Sequence, residues 1–388
     1  MHDPSCRQFL EISGVAAAAL GVPSPAAGAV EAASHTTSST VHLDHDGLGL
    51  GPSETLAELA RLCAAQPPVE DVYGLGGVVE EVEAYFARVL GKERALFMPT
   101  GTLSNHLALR ALARDRRRAV VQEVSHIYND TGDSSQILSG LTLVTVAPDR
   151  ATFTWADVDR VLRRTASGRV SAAVDAISIE SPVRRRSGEL FDRAEMVRVC
   201  AQARRLGIGL HLDGARLFIA SAYTGISPAD YAAPFDTVYV SLWKCFNSMN
   251  GAILAGPAAA LDGMFHVRRM FGGAIFNAWP FAMLARRYAE GFVERLGSAI
   301  GVSEKFIRSL SGPAVQIERV RNGTNIFQLV VASPQAQSLP QRLRPQGIVL
   351  PQPSAGPDGA GFLVHVNESW NRTTGAHLAE AFHRALAA

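Results

Sequence analysis

The chain has 388 residues, 47% hydrophobic and 19% charged, which excludes a disordered chain and leaves room for two or three domains, or one large α/β domain with an appendage. Its 37 Lys and Arg balance 36 Asp and Glu, which excludes nucleic acid as the main partner, because phosphate binding calls for a surplus of cations. The dense basic patch, Arg184-Arg185-Arg186, is too short for a duplex footprint, and no apolar run reaches the roughly 18–20 residues that span a bilayer.

From Met1 to about Thr40 the composition is rich in Ala, Ser, Pro and Gly. A polar start containing Ser5-Cys6-Arg7-Gln8-Phe9-Leu10, an apolar middle over Ile12–Val22 and a small-residue end at Ala27-Gly28-Ala29 follow the layout of an export signal. The segment resembles a degenerate twin-arginine signal, with Cys6 where the first arginine would stand. The expected compartment is the bacterial cytoplasm, or outside it if this leader is used. Residues 1–40 are therefore set apart from the folded chain.

From Val41 onward, helical and strand periods alternate. Thr55–Gln66, Val78–Leu90, Leu103–Ala113, Trp155–Arg164 and Arg193–Leu206 carry apolar residues at helical spacing. Strand-like runs stand at Ala95–Met98, Ala119–Gln122, Leu143–Val146, Ala173–Ile179, Ile208–Leu212, Thr237–Leu242 and Ala252–Ala255. This alternation predicts an α/β fold with a large, mostly parallel sheet covered on both faces, over residues 41–265. After Met264 come long helices over Trp279–Leu296 and Ser303–Leu310, strands over Gln316–Val320, Ile326–Val331 and Phe362–Val366, and a last helix. Residues 266–388 are expected to form a smaller C-terminal α+β domain. The four cysteines, Cys6, Cys63, Cys200 and Cys245, lack zinc-site spacing and read as reduced, mostly buried thiols. No metal site is expected.

Ligands of open α/β sheets sit beyond the carboxyl ends of the strands, and four such places stand out. Thr100-Gly101-Thr102 lies between a strand and a helix, where a helix N-terminus offers free N–H groups to an anion; read alone, an ordinary Thr N-cap explains it better. Ser125-His126 follows another strand, and an imidazole there suits a proton relay or a flat contact with an aromatic ring, although a lone His is more often structural. Asp213 ends the buried run before Gly214-Ala215-Arg216, where a carboxylate calls for a cationic partner; a structural Asp–Arg pair is the alternative. Lys244 follows the run Thr237–Val240 among apolar neighbours, where desolvation lowers its pKa and makes it a usable amine; a surface Lys is the alternative. Together, an anion cradle, a carboxylate and a desolvated Lys are what pyridoxal 5'-phosphate requires.

The segments His211–Phe218, Pro99–Asn105, Ser241–Lys244 with Gly251–Gly256, and Thr324-Asn325-Ile326 resemble the pyridoxal-phosphate enzymes called threonine aldolases and β-eliminating lyases. The resemblance runs from about Leu43 to the C-terminus. It implies the aminotransferase-like fold type I and a homodimer or homotetramer with active sites between subunits. By resemblance Lys244 carries the cofactor aldehyde, Asp213 pairs with the pyridine nitrogen and His126 stacks on the ring. Thr100, Gly101 and Thr102 hold the phosphate, Arg216 faces the cofactor oxygen or the substrate carboxylate, and Arg269, or Arg268 beside it, reaches a phosphate. The implied reaction is aldol cleavage of a β-hydroxy-α-amino acid, with Lys244, His126 and Asp213 as the catalytic set. β-Elimination, transamination or racemisation, and a non-catalytic pyridoxal-phosphate carrier, are the alternatives.

Two positions depart from the family pattern. Where relatives carry a Ser for the substrate carboxylate, the stretch reads His45-Asp46-Gly47-Leu48, and Asp46 is expected to repel a carboxylate. Where relatives carry a C-terminal Arg, this chain is expected to have Phe362, which cannot donate a hydrogen bond. Arg184–Arg186 are the candidates to supply the missing cation.

Overall fold

The computed structural model describes residues 39–387 apart from 115–116, 171, 311, 313 and 357–358. The leader-like segment therefore lies outside the described residues except for Ser39 and Thr40, as does Cys6. The strands are β1 (Val41–His42), β2 (Arg94–Met98), β3 (Arg118–Gln122), β4 (Thr142–Val146), β5 (Ala176–Glu180), β6 (Gly209–Asp213), β7 (Thr237–Ser241), β8 (Ala252–Gly256), β9 (Val315–Arg319), β10 (Ile326–Val331), β11 (Ile348–Val349), β12 (Ser354–Gly356) and β13 (Gly359–His365).

The large sheet has the order β2-β8-β7-β6-β5-β3-β4. All its strands run parallel except β8, which is antiparallel to both neighbours. β5, β7 and β8 are buried at every residue, as strands in a sheet covered on both faces must be. A second, antiparallel sheet has the order β12-β13-β10-β9. Among the described residues, the N-terminal arm does not pair with the large sheet. β1 runs parallel to β11, and Leu43 O accepts from His365 N at 2.8–2.9 Å spacing shared with the Leu43 N–H to Val349 O bond.

The predicted strands are all present, with ends shifted by at most three residues. The helix plan after Met264 is corrected. A helix over Trp279–Ala289 stops before Gly291, whose φ of +67° reverses the chain, and one helix then runs unbroken over Phe292–Leu310. Gly297 and Gly301 lie inside this helix, so glycine alone did not mark its end. Cys200 and Cys245 are buried free thiols, and Cys63 is partly buried against Met283.

Candidate active site

β3, β5, β6 and β7 deliver polar residues to the same edge of the sheet. Asp213 ends β6 and is buried. Its Oδ2 accepts from Asn105 Nδ2 at 2.6 Å and its Oδ1 from the Ala215 N–H at 3.2 Å. Asn105 lies in the helix Gly101–Leu112, and its Oδ1 is 2.8 Å from His211 Nε2. His211 Nδ1 in turn lies 2.9 Å from Thr237 Oγ1. Burial holds the His211 pKa down at about 4, so the ring is neutral. Nε2 must then donate to Asn105 and Nδ1 accept from Thr237, which turns the Asn105 amide N–H toward Asp213. The carboxylate thus receives two N–H donors.

Lys244 sits in the short turn Leu242–Cys245 directly after β7 and is only 9% exposed. Burial lowers its pKa, and the charge of Arg216 lowers it further against the opposing pull of Asp213, Asp46 and Glu180. A surface Lys is excluded. His126 opens the turn after β3; its backbone N–H donates to Glu180 Oε2 at 2.6 Å. Its Nδ1 is buried without a partner among the described residues, and burial lowers its pKa. Glu180 ends β5, accepts also from the Arg184 N–H at 2.9 Å, and has its pKa raised to about 7 by burial and by Asp213.

Thr100 caps the helix Gly101–Leu112, its hydroxyl accepting from the Leu103 N–H at 3.2 Å. The cap reading of Thr100 therefore holds. It leaves the N–H groups of Gly101 and Thr102 without intrahelical partners, at the positive end of a twelve-residue helix. Gly101 has a packing reason of its own, since a Cβ there would lie 1.9 Å from Tyr239 Oη.

Arg216 and Asp46 form a buried ion pair at 2.8 Å. Burial opposes both charges, but each stabilises the other, so Asp46 is held well below and Arg216 above its ordinary pKa. Asn325 Nδ2 donates to the same carboxylate at 3.0 Å, and His365 Nδ1 lies 3.2 Å from it. The expectation that Asp46 repels a substrate carboxylate is thereby corrected, because its charge is neutralised by Arg216. Phe362 is fully buried. Strand alternation on β13 sends Ala360, Phe362 and Val364 into the core, while Leu363 and His365 lie on the other face.

Arg184 and Arg185 both pair with Asp130, at 2.5 and 2.7 Å, and Arg186 with Glu189 at 3.2 Å. They are partnered, half-exposed cations, and the charge of Arg184 acts on His126. Arg268 is buried and spends its guanidinium on the carbonyls of Phe97 and Tyr73. Arg269 is exposed, its guanidinium 4.4 Å from the Tyr73 ring centroid.

A cavity of about 700 Å³ opens between the arm and the Lys244 loop. Asp46, Arg216, Lys244, Asn247 and His365 give it polar groups, and Leu50, Leu56, Trp243 and Met249 give it an apolar lip. The arm is fixed there by Asn247 Oδ1, which accepts from the Leu48 N–H at 2.7 Å. Sequence reasoning passed over Asn105, Glu180 and His365. Glu180 alone carried a signal, an acidic residue ending a buried strand as Asp213 does.

The family profile described as beta-eliminating lyase matches residues 55–333. The chain belongs to the beta-eliminating lyase family. A low specificity L-threonine aldolase of Saccharomyces cerevisiae is 29% identical over 216 residues, 55% of either chain. Matches of this kind span about half the length of the curated relatives. Two solved structures cover 90% of this lyase-family chain. One, from Listeria monocytogenes and assigned as an L-allo-threonine aldolase, is 26% identical with a TM-score of 0.72 over 96% of its own chain. The other, from Exiguobacterium and assigned as an aromatic amino acid beta-eliminating lyase/threonine aldolase, is 25% identical with a TM-score of 0.73 over 98% of its chain. The fold is that of the pyridoxal-phosphate fold type I enzymes, as expected from the sequence.

Proposed function

We propose that this chain is a pyridoxal-phosphate-dependent lyase that cleaves the Cα–Cβ bond of a β-hydroxy-α-amino acid, giving an amino acid and an aldehyde. The observation that carries the reading is the relay Thr237–His211–Asn105–Asp213, which orients a carboxylate on the strand beside the one that leads to a desolvated lysine. The residues fit the cofactor. The free N–H groups of Gly101 and Thr102 suit its phosphate, Asp213 its ring nitrogen, Lys244 its aldehyde and the unpartnered His126 imidazole its ring face. When bound, the cofactor supplies an aldehyde for the substrate amine and an electron-accepting ring for the bond that breaks.

The protein's own part follows from charge and burial. Asp213, fed by two N–H donors, keeps a proton on the group it faces. Lys244 has a depressed pKa, which makes its amine more readily available as a nucleophile. His126, also depressed and with Nδ1 free, is in its basic form and takes the proton of the β-hydroxyl, directly or through a water it orients. Glu180 holds the His126 backbone in place. Arg216, locked to Asp46, presents its remaining N–H groups to the cavity.

The profile's own description favours a second reading, β-elimination, which releases ammonia and a keto acid. The test starts with purified chain and added pyridoxal phosphate. A visible absorbance band is expected that disappears in Lys244→Ala and shifts with one of a panel of β-hydroxy amino acids. Free aldehyde in the product supports aldol cleavage, and ammonia with keto acid supports elimination. No band in the wild-type chain sinks the proposal.

A further inference from the structure

His42, Asp44 and His45 form a second cluster, at the mouth of the cavity and apart from the residues assigned to the cofactor. Their ligand atoms lie within 4.8 Å of one another. His45 Nδ1 is 2.7 Å and His42 Nδ1 3.3 Å from the same Asp44 Oδ1. Ligands about 2.0–2.2 Å from a shared ion stand roughly 3–3.5 Å apart, so small side-chain shifts suffice to close on one. Two imidazoles and one carboxylate suit divalent transition metals and leave coordination positions open.

The scaffold beneath this cluster is rigid. Asn367 is fully buried, and its Nδ2 donates to the carbonyls of both His42 and His45, at 2.9 and 2.7 Å. The His42 N–H donates to the buried Ser369 hydroxyl at 2.9 Å. Leu43, between the ligands, is anchored in the core. Gly49, at φ +71°, lies so close under the His42 ring that a Cβ would stand 2.5 Å from a ring carbon. Preorganised ligands of this kind favour binding.

The charge of the cavity gives such an ion a purpose. Asp44 and His45 line it together with Lys244, Arg216 and His365. Arg216 is committed to Asp46, and under the proposed function Lys244 is committed to the cofactor. Among the described lining residues, an incoming carboxylate therefore meets the negative charge of Asp44, while the Arg216 guanidinium beside it is already paired with Asp46. A divalent ion on Asp44 reverses that sign locally.

We propose that His42, Asp44 and His45 hold a divalent transition-metal ion whose open positions bind the carboxylate of the amino-acid substrate. The carboxylate role rests on the proposed function; the metal site does not.

The cofactor-loaded chain, stripped by chelator, is dialysed against Zn²⁺ or Co²⁺ and its metal counted by elemental analysis. About one equivalent per chain is expected, with affinity falling at least about tenfold in Asp44→Asn and in the His42→Ala/His45→Ala double variant. Circular dichroism and the visible band should persist in both, and His377→Ala, on an exposed side chain, should bind as wild type does. No stoichiometric binding, or binding unchanged in the double variant, overturns the site. With an amino acid that shifts the visible band, metal should lower the half-saturating concentration about tenfold in wild type and not in the double variant. Metal held by the triad with no change in that concentration overturns the carboxylate role. A band that no amino acid shifts, with or without metal, overturns both that role and the lyase reading, while the metal count still decides the site.

Discussion

His211 is the polar side chain behind Asp213 whose pH signature is clearest. Its folded pKa sits near 4, below the ordinary 6.5, because burial penalises the imidazolium. The folded chain thus binds fewer protons than the unfolded one between those values. Stability from this group is full above about pH 6.5 and is lost as pH falls through 4, a swing of about 3 kcal/mol. Between pH 7 and pH 4, wild type should lose about that much more stability than His211→Gln in urea unfolding. Equal losses would show that the imidazole is not held neutral. Asp46 makes a different prediction. It and Arg216 are both buried, so removing one charge strands the other. Asp46→Asn should cost about 3–5 kcal/mol in the same measurement. A loss below 1 kcal/mol would mean that water reaches the pair.

The turn that carries Lys244 is positioned by an aromatic cluster at its far end. Phe246, fully buried, lies 4.9 to 5.5 Å in ring centroid distance from Phe86, Phe218 and Phe292. These rings come from the helices Gly77–Val89, Leu217–Thr224 and Phe292–Leu310, so one side chain ties the lysine loop to three helices. Phe246→Ala should destabilise the chain by about 3–5 kcal/mol and weaken cofactor retention in step, read by thermal melting and by the visible band after gel filtration. A melt unchanged from wild type would show that the cluster is not what holds the loop. Elements of this kind mark what the sequence could express. Lys244 and Asp213 were legible because each follows an apolar strand, where a charged residue is conspicuous. Asn105 was not, because a polar residue in an amphipathic helix says nothing of a partner 108 residues away. The pairing of Asp46 with Arg216 spans 170 residues, and no local pattern encodes it. The burial of Phe362 was not legible either, because a one-residue offset on a strand exchanges the two faces. The helix break at Gly291 was missed because Gly297 and Gly301 offered equally good local stops, and only tertiary packing chose between them.

At the scale of the whole molecule, one surface is apolar and rigid at the same time. Val72, Leu75, Met270 and Phe276 are 55%, 58%, 76% and 60% exposed. They stand on two segments that are firmly tied together. The Tyr73 N–H donates to Phe276 O at 2.9 Å, and the buried Asp71 carboxylate accepts from the N–H groups of Gly74, Ala278 and Trp279, each at 2.8 Å. A loop held open by buried hydrogen bonds while showing large apolar side chains to water is the signature of an interface. The occupant we infer is a second copy of the chain, as the family resemblance implies. Arg269, stacked on Tyr73 in the same patch, would then face the partner's cofactor phosphate. Light scattering should give at least a dimer for wild type. Leu75→Asp with Phe276→Asp should give a monomer, with little loss of monomer stability because both side chains are already exposed. Cofactor affinity should fall with the loss of the dimer, and Arg269→Ala should lower it while leaving the dimer intact. A wild-type chain that runs as a monomer at micromolar concentration would remove the second copy from this surface, and with it the role of Arg269.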